Sequence, residues 1–210
     1  MTPAVSSRPA RWMAYLRLFR APNSFTAIAD VAMAYLVTAP APLPRLPGII
    51  LACATVLMYT AGMVLNDVFD YEIDREERPQ RPLPAGQISV SWARWLGWEM
   101  LLVGAALAWL TGLLAGDRDA SWWRPGVIGS LLAACIVLYD GGLRRTFVGP
   151  LVMGACRFWN VLMGMSLYAA PSGTTSVAGF DPSHVCIAGG IGLYIVGVTV
   201  FSRSEATQSP

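Results

Sequence analysis

The sequence contains no lysine, a single histidine and few charged residues of any kind. Of its 210 residues, only 13% are charged and 55% are hydrophobic, and the mean hydropathy is +0.50. This composition excludes an ordinary soluble domain, because the apolar residues form blocks near bilayer length. The formal net charge is +2. No basic face with interleaved aromatic residues is present, so nothing indicates a nucleic-acid partner.

The sequence also lacks paired cysteines and clustered histidines. Its four cysteines occur singly in apolar surroundings, without a CxxC pair or a metal-ligand spacing: Cys53, Cys135, Cys156 and Cys186. We interpret them as small buried hydrophobic residues. His184 stands at the start of the last apolar segment, and we interpret it as an interface residue rather than a catalytic base.

Six apolar segments predict an all-α, polytopic bundle of membrane helices. They are about Asn23–Thr38, Gly48–Leu65, Trp95–Leu114, Gly126–Tyr139, Val148–Ala169 and Val185–Phe201. Eleven arginines lie in the segments on one side of these spans and three on the other side, with Arg157 inside a span. By the positive-inside rule, both termini, the Asn66–Gly86 loop and the Tyr139–Arg145 turn are expected on the cytoplasmic side of the cell (inner) membrane.

The segment from Asn66 to Gly86, NDVFDYEIDREERPQRPLPAG, concentrates the charge that the rest of the chain lacks. Asp67, Asp70 and Asp74 are spaced i, i+3 and i+7, which on a helix places them within an arc of roughly 60°. Carboxylates held that close repel one another unless a cation neutralises them. A few hard oxygen ligands that leave room for water suit Mg²⁺ held jointly with substrate phosphates. The spacing therefore predicts a Mg²⁺ site.

The arginines of the same segment fit a phosphate-bearing partner. Arg81 follows the last of these aspartates by seven residues, with Arg78 nearby, and guanidinium groups bind phosphate oxygens in bidentate fashion. Pro82 and Pro84 stiffen the "RPLPAG" stretch, so we expect an ordered loop. A merely solvated loop is the alternative, but such a loop needs neither one-sided aspartates nor an arginine bracketed by prolines.

These residues resemble the UbiA superfamily of intramembrane prenyltransferases. "NDVFDYEID" matches the NDxxDxxxD signature of that superfamily, and "RPLPAG" is similar to its RP-[LI]-P-[SA]-G segment at the usual distance. "FRAPNSFTAIAD" resembles the Arg-x-Pro-Asn motif of the first span. "LYDGGLRRT" resembles the Tyr-x-x-x-x-Lys turn, with Arg144 in place of lysine. The first span and the Ser-Arg-x-Glu ending resemble the EboC-like branch.

The resemblance implies a helical bundle around a central cavity that binds an allylic prenyl diphosphate. Mg²⁺ on the three aspartates would stabilise the diphosphate leaving group, and the prenyl group would pass to a membrane-associated aromatic or lipid-like acceptor. The ring of Tyr139 would face the allylic cation, an attraction of about 0.5–2 kcal/mol. The substrate-binding residues implied are Asn23, Asn66, Arg78, Arg81, Arg144 and Arg145.

The second acidic motif of the superfamily is altered here. The stretch after the sixth segment, "GVTVFSRSEATQSP", offers Arg203 and Glu205 where two or more aspartates are usual. We expect Arg203 to replace a metal as the positive charge, with Glu205 orienting it. The chain also stops two or three spans earlier than is usual in the superfamily. We therefore interpret residues 1–210 as one UbiA-like domain that lacks those spans.

Two functions remain open at this point. The intact first motif favours a prenyltransferase, whereas the altered second motif fits a non-catalytic prenyl-diphosphate- or lipid-binding component that supports transport or biosynthesis. A CDP-alcohol phosphotransferase is disfavoured, because its D-G-x-x-A-R opening is absent.

Four polar residues lie within the predicted spans: Asp30, Glu99, Arg157 and Asn160. Each would cost about 2.5–3.5 kcal/mol if it faced lipid at the bilayer centre. We therefore expect all four to face the bundle interior, either as structural pairs or as part of an acceptor site.

Overall fold

A computed structural model describes residues 11–40, 42–115, 122–168 and 176–208, and in these residues the regular structure is helical, with no strand. The all-α prediction is thus confirmed. The helices are α1 (Arg11–Phe19), α2 (Ser24–Thr38), α3 (Arg45–Phe69), α4 (Tyr71–Glu77), α5 (Val90–Ala115), α6 (Arg124–Asp140), α7 (Gly149–Met165) and α8 (Pro182–Gln208), with 3₁₀ turns at Ala21–Asn23 and Leu143–Arg145.

Each of the six predicted spans coincides with one helix. In the described residues, α3, α5 and the part of α8 from Pro182 to Glu205 are long and apolar enough to cross a membrane. The other three, α2, α6 and α7, have 15, 17 and 17 residues, whereas a perpendicular crossing takes about 20 residues. The count of six spans therefore stays a prediction. The last residue of the predicted fifth span, Ala169, lies outside the described residues.

Five helices surround the hydrophobic core. Contacts run from α2 to α3, from α3 to α5, and onward through α6 and α7 back to α2. Leu51 and Met58 of α3 meet Val161 and Met163 of α7 among the fully buried core side chains. The last helix, α8, packs against α7, where a Cβ on Gly154 would lie 2.7 Å from the backbone oxygen of Gly192. Small residues at this crossing let the two backbones approach closely.

A smaller apolar cluster holds the loop that follows α4. Leu83 and Ile88 of this loop are buried with Leu18 of α1 and Val64 of α3. The amides of Ala85 and Gln87 donate to the carbonyl oxygens of Arg81 and Pro82 at 2.9 and 3.0 Å. The loop is ordered, as its prolines predict, and its anchoring fixes Arg81 beside the end of α3.

The polar residues within the predicted spans behave differently from one another. Arg157 donates to Asp30 at 2.8 Å. Asn160 is buried and accepts a hydrogen bond from Thr55 at 3.1 Å. Glu99, by contrast, is exposed, so the expectation that it faces the interior is wrong. Glu99 lies two residues after the closely packed Gly97, and a step of two positions turns a side chain to the far side of a helix.

The expected burial of the cysteines is also wrong in part. Cys53 and Cys186 are exposed, Cys135 and Cys156 are partly buried, and all four are free thiols. Cys53 is exposed because it lies on an outward-facing stripe of α3, between the buried residues Leu51 and Ala54.

Candidate active site

One end of the bundle brings together the end of α3, the end of α6 and the turn before α7. Asn66 donates from Nδ2 to Oδ1 of Asp140 at 3.1 Å, which joins α3 to α6. Arg145 of the 3₁₀ turn donates to Oδ1 of Asp70 at 2.7 Å. Residues that are distant in the sequence thus meet at this end of the bundle. We call the cluster around Asn66, Asp70, Asp140 and Arg145 the mouth.

The three predicted aspartates lie at this mouth. Helix α3 ends at Phe69, and Asp70 has φ −91° and ψ 3° before α4 begins. Helical hydrogen bonding nevertheless continues through the break, because the Asp74 amide donates to the Asp70 carbonyl oxygen at 2.8 Å. Asp67, Asp70 and Asp74 are only 4%, 8% and 2% exposed, so the three carboxylates are removed from solvent together.

Arginines neutralise these buried carboxylates. Asp67 accepts from Arg20 at 2.9 Å and from Arg81 at 3.3 Å, and Arg81 also donates to Asp74 at 2.6 Å. Asp70 lies between Arg144 and Arg145. Burial and the adjacent Arg145 lower the pKa of the Arg144 guanidinium, which still remains protonated. The mouth therefore holds paired charges of both signs, and such pairs can exchange partners with an incoming anion.

The donor atoms at this mouth suit a hard cation. They are carboxylate oxygens, the ligands that Mg²⁺ prefers, and the carboxylates of Asp67 and Asp74 both contact one guanidinium nitrogen of Arg81. In the described part of the chain, no three Asp, Glu, His or Cys side chains are grouped closely enough to hold a metal ion on their own. The chemistry fits a cation that needs further oxygen ligands from a substrate.

A cavity of about 220 Å³ runs inward from this mouth. Arg20, Asn66, Tyr139 and Asp140 line its polar end. Apolar side chains form much of its wall: Met58, Met63, Leu132, Ile136 and Met153. The polar residues Thr55, Arg157 and Asn160 also line it. A molecule with an anionic head and an apolar tail fits this distribution of charge.

Most of the sequence-predicted site residues come together here. Seven of them contact one another or a neighbouring charge at the mouth: Asn66, Asp67, Asp70, Asp74, Arg81, Arg144 and Arg145. Tyr139 is half-buried at the cavity wall. Their roles in binding or catalysis stay predictions.

The other predicted residues lie apart from the buried charges. Asn23 and Arg78 are exposed. Arg203 of α8 donates to the backbone oxygen of Thr146 at 2.8 Å and also to that of Arg144, so it contacts the turn that carries the Asp70 partners. Glu205 is exposed, and its expected role in orienting Arg203 stays a prediction.

Sequence reasoning missed two residues of this mouth. The side chain of Arg20 donates to Asp67. The backbone of Arg20 lies in the left-handed region, with φ 46° and ψ 44°, which is a costly conformation for a non-glycine residue. Arg20 belongs to the "FRAPN" motif and is one of the eleven arginines on one side of the predicted spans, and neither observation indicates a contact with Asp67. Asp140 lies next to Tyr139 in "LYDGG", and a carboxylate that directly follows an apolar run is the signal that could have identified it.

Comparisons with known proteins identify related sequences. The pattern of the UbiA prenyltransferase family matches residues 26–207. Over 152 residues the chain is 32% identical to the digeranylgeranylglyceryl phosphate synthase of Saccharolobus solfataricus, covering 71% of this chain and 50% of that one. Over 133 residues it is 39% identical to the synthase of the same name from Methanoculleus marisnigri, covering 63% and 43%.

A solved structure concerning digeranylgeranylglyceryl phosphate synthase in membranes has a similar fold. Its TM-score is 0.72 at 25% sequence identity, and the match covers 94% of this chain and 64% of that chain. The chain spans about half the length of the curated relatives named above. The likeness to the EboC-like branch stays a prediction.

Proposed function

Because this chain belongs to the UbiA prenyltransferase family, we propose that it transfers a prenyl group from an allylic prenyl diphosphate to a lipid-like acceptor within the membrane. One observation supports this function above the others: the buried arginine–aspartate mouth opens directly onto an apolar cavity. A diphosphate with a hydrocarbon tail has the complementary shape and charge. We place this mouth on the cytoplasmic side, following the arginine distribution.

The diphosphate binds among the guanidinium groups of the mouth. Arg81, Arg144 and Arg145 already donate to carboxylate oxygens, and the same groups form short, charge-assisted bonds with phosphate oxygens. Arg20 lies on the cavity side of the mouth. The tail then lies against the apolar wall, where exclusion of water protects an allylic cation from hydrolysis.

Mg²⁺ is the expected cofactor, held by Asp67, Asp70 and Asp74 together with the phosphates. When bound, it would stabilise the negative charge that develops on the leaving diphosphate. The arginine partners hold the three carboxylates in position before the substrate arrives. Removal of divalent cations should therefore weaken donor binding while leaving the helices folded.

Two further groups act on the charges of the reaction. Tyr139 at the cavity wall offers its ring face to the allylic cation. Arg203 adds positive charge beside the turn that carries Arg144 and Arg145, and it also fixes that turn through its carbonyl oxygens. Glu205 helps to orient Arg203.

The names of the relatives suggest the substrates. A digeranylgeranylglyceryl phosphate carries two geranylgeranyl groups on one glyceryl phosphate, so its formation requires prenyl transfer to a glyceryl hydroxyl. We propose the same class of substrates here: geranylgeranyl diphosphate as donor and a singly prenylated glyceryl phosphate as acceptor.

A non-catalytic prenyl-diphosphate-binding protein is the second candidate. The observation that favours it is the end of α8, where Arg203 contacts backbone carbonyl oxygens and Glu205 is exposed. A protein with this altered motif would bind the diphosphate through the first acidic motif and its arginines without ionising it.

The test uses the whole chain in lipid nanodiscs with Mg²⁺, radiolabelled geranylgeranyl diphosphate and the singly prenylated acceptor. We expect a labelled lipid product and release of pyrophosphate, both lost in Arg81→Gln. Tight donor binding without product or pyrophosphate would contradict the transferase and support the binding protein. Absence of donor binding would contradict both functions.

A further inference from the structure

We propose that Asp140 is the general base that takes the proton from a hydroxyl group of the acceptor. This inference rests on the proposed prenyl transfer to a hydroxyl group, and it names the residue that takes the proton of that hydroxyl group. Neither the family signature described above nor the spacing of its aspartates includes this residue.

Asp140 differs from the other buried carboxylates of the mouth in its partners. Asp67, Asp70 and Asp74 each contact at least one guanidinium group. Asp140 is equally buried, at 6% exposure, but its hydrogen bond comes from the neutral amide of Asn66. In the described ranges it forms no ion pair. A carboxylate that is not tied to a guanidinium group retains the basicity needed to accept a proton.

The position of Asp140 fits contact with an acceptor. Asp140, Asn66 and Arg20 line the same end of the cavity, and Arg20 also holds the predicted metal ligand Asp67. An acceptor that enters through the apolar part of the cavity therefore meets Asp140 directly beside the diphosphate site. A general base has to lie within hydrogen-bond reach of the proton that it removes.

Open space beside the carboxylate is provided by a glycine of α3. A Cβ placed on Gly62 would lie 3.8 Å from Oδ2 of Asp140 and 3.2 Å from Cγ2 of Ile136. All three residues line the cavity. The absence of a side chain at position 62 leaves room for a hydroxyl group to approach Oδ2.

The chemical step balances with the substrates already proposed. The bond between C1 of the prenyl group and the diphosphate oxygen breaks, and its electron pair stays on the diphosphate. The acceptor oxygen forms a bond to C1, and its proton passes to the Asp140 carboxylate. The products are an ether and pyrophosphate, and Asp140 loses its proton to solvent when the product leaves.

The deciding variant is Asp140→Asn, since asparagine has the same shape and can still accept the hydrogen bond from Asn66. General-base catalysis contributes about 10²–10⁴-fold to a rate, so kcat with the alcohol acceptor should fall by about that factor. Binding of a non-reactive thiodiphosphate analogue of the donor should change by less than about threefold. Asp140→Glu, which keeps a carboxylate, should recover part of the lost rate.

An acceptor analogue with a thiol in place of the hydroxyl separates a base from a merely structural group. A thiol has a pKa near 8.5 and ionises without help far more readily than an alcohol. Asp140→Asn should therefore retain most of its activity with the thiol. Glu99→Gln, which removes a carboxylate from the exposed face of α5, is the matched control and should behave as wild type with both acceptors.

The outcomes distinguish this inference from the function on which it rests. If the wild-type chain transfers the prenyl group and Asp140→Asn transfers it equally fast, the general-base role is overturned and the proposed transferase function stands. Equal losses of transfer to the alcohol and to the thiol would also overturn the general-base role. Asp140 would then be a residue that positions Asn66. Absence of transfer by the wild-type chain would overturn both.

Discussion

The two ends of the bundle differ in the partners of their buried polar groups. At the site end, charged side chains meet, as in the Asp67–Arg81 and Asp70–Arg145 pairs. At the other end, Tyr35 donates to the backbone oxygen of Pro44 at 2.5 Å and its hydroxyl lies 3.3 Å from that of Tyr168. The far end thus joins these helices through hydroxyl groups, backbone oxygens and rings, and its buried guanidinium group, that of Arg124, lies 5.2 Å from the centroid of the Phe180 ring.

The difference indicates what each end is for. The cost of desolvating two opposite charges can exceed the gain from their attraction, and apolar residues of similar volume are often as stabilising or more so. The buried ion pairs of the site end are therefore weak evidence for a role in fold stability. Charges that are removed from water and held in pairs are useful where an anion and a cation have to bind, which agrees with the proposed diphosphate site.

The largest expected effect is on donor binding at the site end. Asp70→Ala removes the carboxylate between Arg144 and Arg145 together with one proposed Mg²⁺ ligand. Mg²⁺-dependent binding of a prenyl diphosphate should fall by about 30- to 5,000-fold, because loss of one partner of a buried, hydrogen-bonded charge pair costs about 2–5 kcal/mol.

Calorimetry in detergent measures this loss, and circular dichroism checks that the helices persist. Asp70→Glu, which keeps the charge, should bind the donor better than Asp70→Ala. Equal affinity of Asp70→Ala and the wild-type chain, with and without Mg²⁺, would remove this aspartate from the metal site.

Sequence patterns predicted the elements of the site end well but not all of their pairings. The i, i+3, i+7 spacing located three aspartates that are buried together, since that spacing is local and survives the break at Asp70. The Arg20–Asp67 pair spans 47 positions and the Asn66–Asp140 pair spans 74. Such contacts depend on which helices become neighbours, and hydropathy alone does not specify that.

The interior position predicted for Glu99 was wrong for a different reason. The cost of a charge in lipid predicted an interior position, but the packing of α5 is set by its small residues, such as Gly97 and Gly104. Those residues occupy the buried face and leave Glu99 on the other side. The identity of the closely packed small residues was therefore a better guide to the orientation of α5 than its one charge.

An intermediate effect, on the free energy of unfolding, is expected for the Asp30–Arg157 pair, which lies between the two ends. Asp30→Ala leaves the half-buried Arg157 without its carboxylate partner, and removal of one partner of a buried pair costs about 3–5 kcal/mol. Both side chains retain some exposure, 21% and 17%, so the lower limit of about 3 kcal/mol applies to the free energy of unfolding.

The double variant Asp30→Leu with Arg157→Met tests this explanation. It should recover most of the lost stability in denaturant titrations, because no unpaired charge remains. A double variant as unstable as the sum of the two single variants would show that the pair is not coupled, and that each residue acts through other contacts such as that of Arg157 with Thr26.

The smallest expected effect is at the far end, with Tyr35→Phe. The ring remains in place against Gly48, where a Cβ would lie 2.8 Å from Cε1 of Tyr35, and it still faces the Tyr168 ring with centroids 6.1 Å apart. Only the hydroxyl contacts to Pro44 and Tyr168 are lost, which should reduce the free energy of unfolding by about 1 kcal/mol. Donor affinity, measured by the same calorimetry as for Asp70→Ala, should not change. A change of more than about threefold in that affinity would show that the two ends are energetically coupled, and their division into a binding end and a packing end would then be wrong.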